Sequence, residues 1–377
     1  MKKILISLFA FTALSTSAFA QSSPFEWQVS DNTKIKMGGY IRTLVSSDIN
    51  SSLSGASNFQ PYAITDADWS DENYLNFDVT ASRLSMEITQ STDAVGDVKV
   101  FVEADFCGTG STARLRQAYI ELKGVVAGYA WSFMSDLAAS APTLDITGVN
   151  SRTFLRTQMV GYRHTLSDNL SAGIALEVPS LKTGLAAEYT SLNQTMPNVP
   201  FYVQYKTKAG HIKAAGAIRS LQYGDTSAEE RLSNIGWGAQ LSGAYAVTKG
   251  IKIFGQAIYG QGINNYINDL SSLSINMMST DGTTMEATPM GGASFGFSAK
   301  VAPKWTLSAS GSYVENFGDE DYFVGSYQMG SYVSANIIYV PAPRISIGAE
   351  LVNGSRTDFG SDAISAQRAS LMIKYTL

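Results

Sequence analysis

The side chains best suited to chemistry in this chain are charged residues set into apolar, alternating surroundings. Arg42, Arg83, Glu87, Lys99, Glu103 and Asp105 stand at such positions, and Arg114, Arg116, Arg156 and Arg163 follow. A guanidinium is a planar fork that can grip both oxygens of a carboxylate. Rings of Arg or Lys inside a pore favour anions, and opposed acids sharpen the field across it. The chemistry in view is therefore recognition of small anions. The competing role for each arginine is a structural ion pair with a nearby carboxylate, such as Arg83 with Glu87.

Groups for covalent or metal chemistry are sparse. His164 lies beside an expected turn and His211 just after another, and neither has the neighbours of a triad or a metal site. Cys107 is the only cysteine, so no intrachain disulfide can form, and it reads as a small side chain near a loop. No enzyme activity, cofactor or metal is expected. A formal charge of −5 makes nucleic acid an unsuitable partner.

Strands must position these charges, because period-two alternation recurs from Ile35 to Leu377. Val98, Val100, Val102, Ala104 and Phe106 share one face of a segment, with Lys99, Glu103 and Asp105 on the other. Ala172, Ile174, Leu176 and Val178 oppose Ser171, Gly173 and Glu177, and Ile345, Ile347, Ala349 and Leu351 form another apolar set free of charge. Arg114 and Arg116 share their parity with Ala118, Ile120 and Leu122 unless a bulge near Gln117 resets the register. Trp305, Tyr313, Tyr339 and Tyr375 read as aromatics at a membrane interface.

Strands are expected near 34–45, 77–91, 98–106, 113–123, 125–132, 154–164, 171–178 and 201–207. They continue near 211–221, 235–247, 251–260, 292–301, 305–316, 327–340, 345–352 and 364–377. That makes an even sixteen. Short connections alternate with long ones near 46–76, 133–153, 179–200, 222–234, 261–291, 317–326 and 353–363, and only 107–112 is a short outer link. Short periplasmic turns and long outer loops are the pattern of a bacterial outer-membrane barrel.

The first twenty residues, with Lys2 and Lys3, an apolar run and small residues ending in Ala20, read as a secretory signal peptide. Residues 21–33 would be a short periplasmic segment and 34–377 the barrel. No uninterrupted apolar stretch of about 18 residues follows, which excludes transmembrane helices. A soluble sandwich also alternates, yet rarely reaches this length and strand number. In lipid, every backbone polar group must be paired internally, so strands can span only as a closed barrel.

The expected fold is thus all-β, a 16-stranded antiparallel transmembrane β-barrel in the outer membrane. At that size the lumen holds an aqueous channel unless something plugs it. The segment 133–153, with Asp136 and Asp145, is the candidate for a loop folded inward to constrict it. The expected function is passive diffusion of small polar solutes, with anions preferred. The rivals are a closed barrel serving as adhesin or scaffold through its long loops, and a barrel hydrolase built on His164.

The residues from Gly39-Tyr40-Ile41-Arg42 through Ser82-Arg83-Leu84 and Gly96-Asp97-Val98-Lys99 to Val102-Glu103-Ala104-Asp105-Phe106 form a dense series of motifs. With Leu115-Arg116-Gln117-Ala118-Tyr119-Ile120-Glu121-Leu122, Ala127-Gly128-Tyr129-Ala130-Trp131-Ser132 and Thr143-Leu144-Asp145, the stretch resembles the DcaP-like outer-membrane porins. The resemblance implies a homotrimer in contact with outer-membrane lipid, and a basic constriction suited to dicarboxylates. It matches Arg83, Glu103, Asp105, Arg114, Arg116 and Arg156 to charged positions of the family. Cys107, a short N-terminus and a final Leu377 depart from the family pattern.

Overall fold

The computed structural model describes residues 25–49, 53, 58–66, 73–186, 188–279, 281 and 284–377. The expected signal peptide lies outside the described residues. Sixteen strands form the wall: β1 (Thr33–Ile49), β2 (Arg83–Thr92), β3 (Gly96–Asp105), β4 (Arg114–Leu122), β5 (Val125–Trp131), β6 (Arg156–Thr165), β7 (Leu170–Glu177) and β8 (Val199–Lys206). The second half supplies β9 (Gly210–Asp225), β10 (Glu230–Ala246), β11 (Ile251–Gln261), β12 (Pro289–Ala302), β13 (Trp305–Asn316), β14 (Tyr327–Tyr339), β15 (Ile345–Asp358) and β16 (Ile364–Thr376).

Every wall strand pairs antiparallel with its sequence neighbours, and the sheet closes where β1 meets β16 from Tyr40↔Thr376 to Ile49↔Gln367. Closure leaves no edge, which is what lipid demands of strands. No described helix is long and apolar enough to cross a membrane. Alternation does the rest. Outward side chains such as Val160, Leu176, Ile235, Leu351 and Leu371 are exposed and apolar, while inward positions are polar or packed against infolded loops. Trp305 stacks on Tyr339 with centroids 4.4 Å apart, and both stand on this outer face beside the 303–304 turn.

The wall is uneven in height. Strands β2 to β7 have seven to ten residues, whereas β9 and β10 have 16 and 17. β1 and β2 approach closely at one glycine: Gly39 has φ +128°, and a Cβ there would lie 2.1 Å from the Arg83 carbonyl oxygen. Only glycine holds that backbone without strain.

Several expectations need correction. The strand expected at 77–91 is two pieces, Leu75–Asp78 on the upper part of β1 and β2 on its lower part. Between them, the Asp78 carboxylate accepts Thr80 N–H and hydroxyl bonds at 2.8 and 2.6 Å and turns the chain. The long loop expected near 222–234 shrinks to 226–229, because β9 and β10 stay in register as far as Asp225↔Glu230. There Asp225 caps the turn by accepting from Ser227 and Ala228. Residues Glu26–Ser30, ahead of the wall, form a hairpin with the start of β1.

The loops expected on the surface near 46–76 and 261–291 fold inward in their described parts. Phe59, Ile64, Tyr266, Ile267, Leu270 and Met277 are fully buried. Their apolar side chains are covered by the 133–153 segment and by inner-wall residues of β9, β14 and β15, which sequence order does not reveal.

Candidate functional site

Register assembles the charges. One row of backbone partners across β1 to β4 sets Tyr40, Arg83, Asp105 and Arg114 side by side. The row above it on β1 and β16 sets Arg42 beside Lys374, with Ser346 next to Lys374 on β15. All face inward.

Two kinds of cation result. Arg114 is bonded through Nε and Nη2 to both Asp105 oxygens, at 3.0 and 2.8 Å. Arg116 donates to Glu103 at 2.8 Å and to Asp105 at 2.7 Å. The parity problem of these two arginines is solved by a bulge. Ala104 pairs with Leu115 but Glu103 pairs with Gln117, so Arg116 is the extra residue and both guanidiniums reach the inner acids while Leu115 faces outward. Lys99 is bonded to Glu87 at 2.8 Å, so Glu87 serves Lys99 and not Arg83.

The second kind has no carboxylate bonded to it among the described residues. Arg83 lies over the Tyr40 ring at 5.5 Å, and Lys374 approaches the same ring at 5.5 Å. Arg42 spends Nη2 on the Leu144 carbonyl at 2.7 Å, while its Nε and Nη1, like Nε of Arg83, are enclosed without a partner among the described residues. Arg152 adds to this field from the infolded segment. Burial, with Arg83 and Arg116 as neighbouring charges, pulls it down to about 10 although Asp145 opposes the shift. Lys374 and Arg152 escaped the sequence reading. A lysine three residues from the C-terminus and an arginine in a loop carry no local signal, and only closure of β16 onto β1 and infolding of the loop bring them in.

Arg156 is corrected. It alternates with Gln158, Val160 and Tyr162 and so belongs to the outer parity of β6. Its guanidinium bends over Trp131 at 5.1 Å and donates to the Arg116 carbonyl at 3.1 Å, from a backbone position on the outer face of β6. Arg163 faces inward, over the Phe133 ring at 5.0 Å and 3.8 Å from Glu121.

The segment 133–153 runs along the inner wall, and its acids are anchors. Asp136 accepts from Ser242 at 2.6 Å and sits 2.8 Å from His211 Nε2. Burial pushes its carboxyl up, but His211, Lys213 and Ser242 outweigh this and hold it below the ordinary range. Asp145 is enclosed by Thr147 and the Gly148 and Phe59 amides. Burial raises its pKa. His164 is exposed and stacked on Tyr162. Among the described residues no group of three or more His, Cys, Asp or Glu could hold a metal.

Asp269 is a further buried acid, at the junction of three infolded segments. It accepts the Tyr62 N–H at 3.2 Å and the Tyr327 hydroxyl, and its own N–H bonds the Asn150 carbonyl at 3.0 Å. Among the described residues it has no ion pair, and burial raises it to about 7. The sign follows from linkage: a raised carboxyl pKa means that the packing is fully supported below about pH 4 and weakens as pH climbs through 7. Asp269→Asn should therefore melt a few degrees above the parent at pH 8 and level with it at pH 4, by thermal denaturation in detergent. Equal melting at both values would exclude the effect.

Comparison with known proteins follows from this geometry. A model of the porin subfamily matches residues 31–353. The outer membrane channel DcaP of Acinetobacter baumannii superposes with a TM-score of 0.80 at 19% identity, covering 93% of this chain and 99% of that one. The anion-selective porin from Comamonas acidovorans gives a TM-score of 0.58 at 11% identity, over 92% of this chain and all of that one. The trimer form of OmpT from Vibrio cholerae gives 0.56 at 15% identity, over 92% and 100%. At these identities the likeness is one of fold. No protein of curated function matches the sequence.

Proposed function

The chain belongs to the porin subfamily, and on that premise we propose that this outer-membrane barrel is a passive diffusion channel preferring small anions, dicarboxylates among them. The observation that carries the preference is the cluster of Arg42, Arg83 and Lys374 around Tyr40, inward-facing cations with no carboxylate bonded to them among the described residues. Arg114 and Arg116, by contrast, are largely neutralised by Asp105 and Glu103. An uncompensated positive surface inside a low-dielectric wall raises the local concentration of anions and lowers that of cations. Two or three separated cations suit a solute with two carboxylates, each able to take donors from a different side chain.

No chemical step is implied. Arg42, Arg83 and Lys374 supply the field, and Arg114 and Arg116 set its shape through fixed ion pairs. Assembly as a homotrimer fits the low side of the wall, where Leu84, Met86, Val102, Leu115, Ile120 and Leu176 present an apolar outer face. Shorter strands there bring that face within reach of a second copy.

The test is single-channel current of the purified protein in a planar bilayer under a salt gradient. Stepwise conductance with a reversal potential on the anion side is expected. A cation-side potential would overturn the anion preference, and well-folded protein with no conductance would overturn the open channel in favour of a closed surface scaffold.

A further inference from the structure

The infolded segment meets the wall at one residue whose peptide is held from both sides. Leu144 N–H donates to Glu350 Oε2 at 2.7 Å and Asp145 N–H to Glu350 Oε1 at 2.8 Å. The carbonyl of the same Leu144 accepts from Arg42 Nη2. Glu350 lies on β15 and Arg42 on β1, with β16 between them, so the Leu144 peptide bridges three strands.

Beneath it lies a matching seat. Ile338, Gly348, Met372 and Leu44 are successive backbone partners in one row across β14, β15, β16 and β1. Leu144 packs with Leu44 and Met372, with Ile338 against them. Gly348 provides the notch, since a Cβ there would come 3.0 Å from Leu144 Cδ1. Ser346, Lys374 and Arg42 form the row immediately below. Asn336, bonded to Glu350 at 3.0 Å and to the Pro142 carbonyl at 2.8 Å, braces the carboxylate.

We infer that Glu350 is a positioning residue for anion selectivity: by fixing the Leu144 peptide in the Gly348 notch it orients Arg42 toward the Tyr40 cluster. This rests on the anion-channel reading. The mechanism is geometric. Two backbone N–H groups converge on one carboxylate, which only an acceptor-only group satisfies fully. With the amide fixed, the carbonyl points at β1 and takes one Arg42 nitrogen, leaving Nε and Nη1 uncommitted beside Lys374 and Arg83. Released, the guanidinium would relax onto other carbonyls and its charge would leave the cluster.

Glu350→Gln presents one acceptor and one NH2 to the two N–H groups, so one contact becomes repulsive. The expected result is a net drop of roughly two- to fivefold in anion-over-cation permeability, about 0.4–1 kcal/mol, because displacement of the Arg42 charge from the cluster outweighs the removal of the Glu350 charge. Arg42→Gln should lose at least as much, and the double variant no more than Arg42→Gln alone, as for residues acting in series. Glu350→Asp, which keeps both acceptor oxygens, should recover part of the loss.

Unchanged selectivity in a folded Glu350→Gln channel, or losses that add in the double variant, would overturn the inference. Should Glu350→Gln fail to fold, Gly348→Ala displaces Leu144 from the same notch and must give the same loss. A parent channel without anion preference would instead strike the proposed function. In that case the open-channel current decides: no change in Glu350→Gln relative to the parent overturns the docking role as well.

Discussion

Removing two charges from the uncompensated cluster, as Arg83→Ala with Lys374→Ala, should move the reversal potential of the channel from the anion side to near zero. Each cation at about 4 Å from a passing ion in a water-like medium contributes about 1 kcal/mol, or roughly fivefold in relative permeability. The pair is therefore worth roughly an order of magnitude or more. Among the described residues neither is bonded to an acid, so their loss strands no carboxylate there, and the barrel should fold with its parent's heat-modifiable migration. Raising the ionic strength should shrink the difference between parent and variant, because the contribution is electrostatic and screened beyond about 10 Å at 0.1 M. A double variant that keeps the parent's reversal potential would show that selectivity resides elsewhere in the lumen.

The opposite signature is expected at Asp105. This carboxylate is fully buried and holds both Arg114 and Arg116. Asp105→Ala leaves two guanidiniums facing each other with only Glu103 to serve them, and breaking a buried pair on one side typically costs about 3–5 kcal/mol. The barrel should unfold at clearly lower urea than the parent, while any channels that do form should be more anion-selective, since a negative charge has gone. Stability down and selectivity up is a combination that neither a simple packing defect nor a simple charge effect gives. Unchanged urea midpoints would mean that solvent reaches the pair and weakens it to the level of a surface bridge.

These two sites also mark the boundary between what was legible in the sequence and what was not. The alternation of Val98, Val100, Val102, Ala104 and Phe106 with Lys99, Glu103 and Asp105 is enough to assign faces, because a strand has a period of two and lipid tolerates no charge on its side. Sixteen such segments, an even number, with short and long links in turn, then leave a closed barrel as the arrangement in which all backbone groups pair. Arg42, Arg83, Glu87, Lys99, Glu103 and Asp105 fall inward by the same parity.

Partnership was another matter. Arg114 and Arg116 turn inward only because one residue bulges at the β3–β4 pairing, a register slip that parity counting from Ile120 and Leu122 cannot place. Arg156 runs with the outer set because its parity is fixed by Val160 and Tyr162 on β6, not by its charge. Lys374 joins Arg42 only when the last strand closes on the first, a contact more than three hundred residues apart in the chain.

The sequence by itself therefore determined the class of structure and the identity of most inward charges, since both follow from local alternation and from the solvent on each side of the wall. Only the tertiary structure decided which cations are neutralised and which are free. That depends on register across strands and on the infolding of 133–153 and of the described parts of 262–288, whose buried contacts with Glu350, His211, Ser242 and Tyr327 join residues with no relation in sequence. Local patterns specify a face, whereas ion pairing at about 3 Å requires the closed ring of strands to set every neighbour's height.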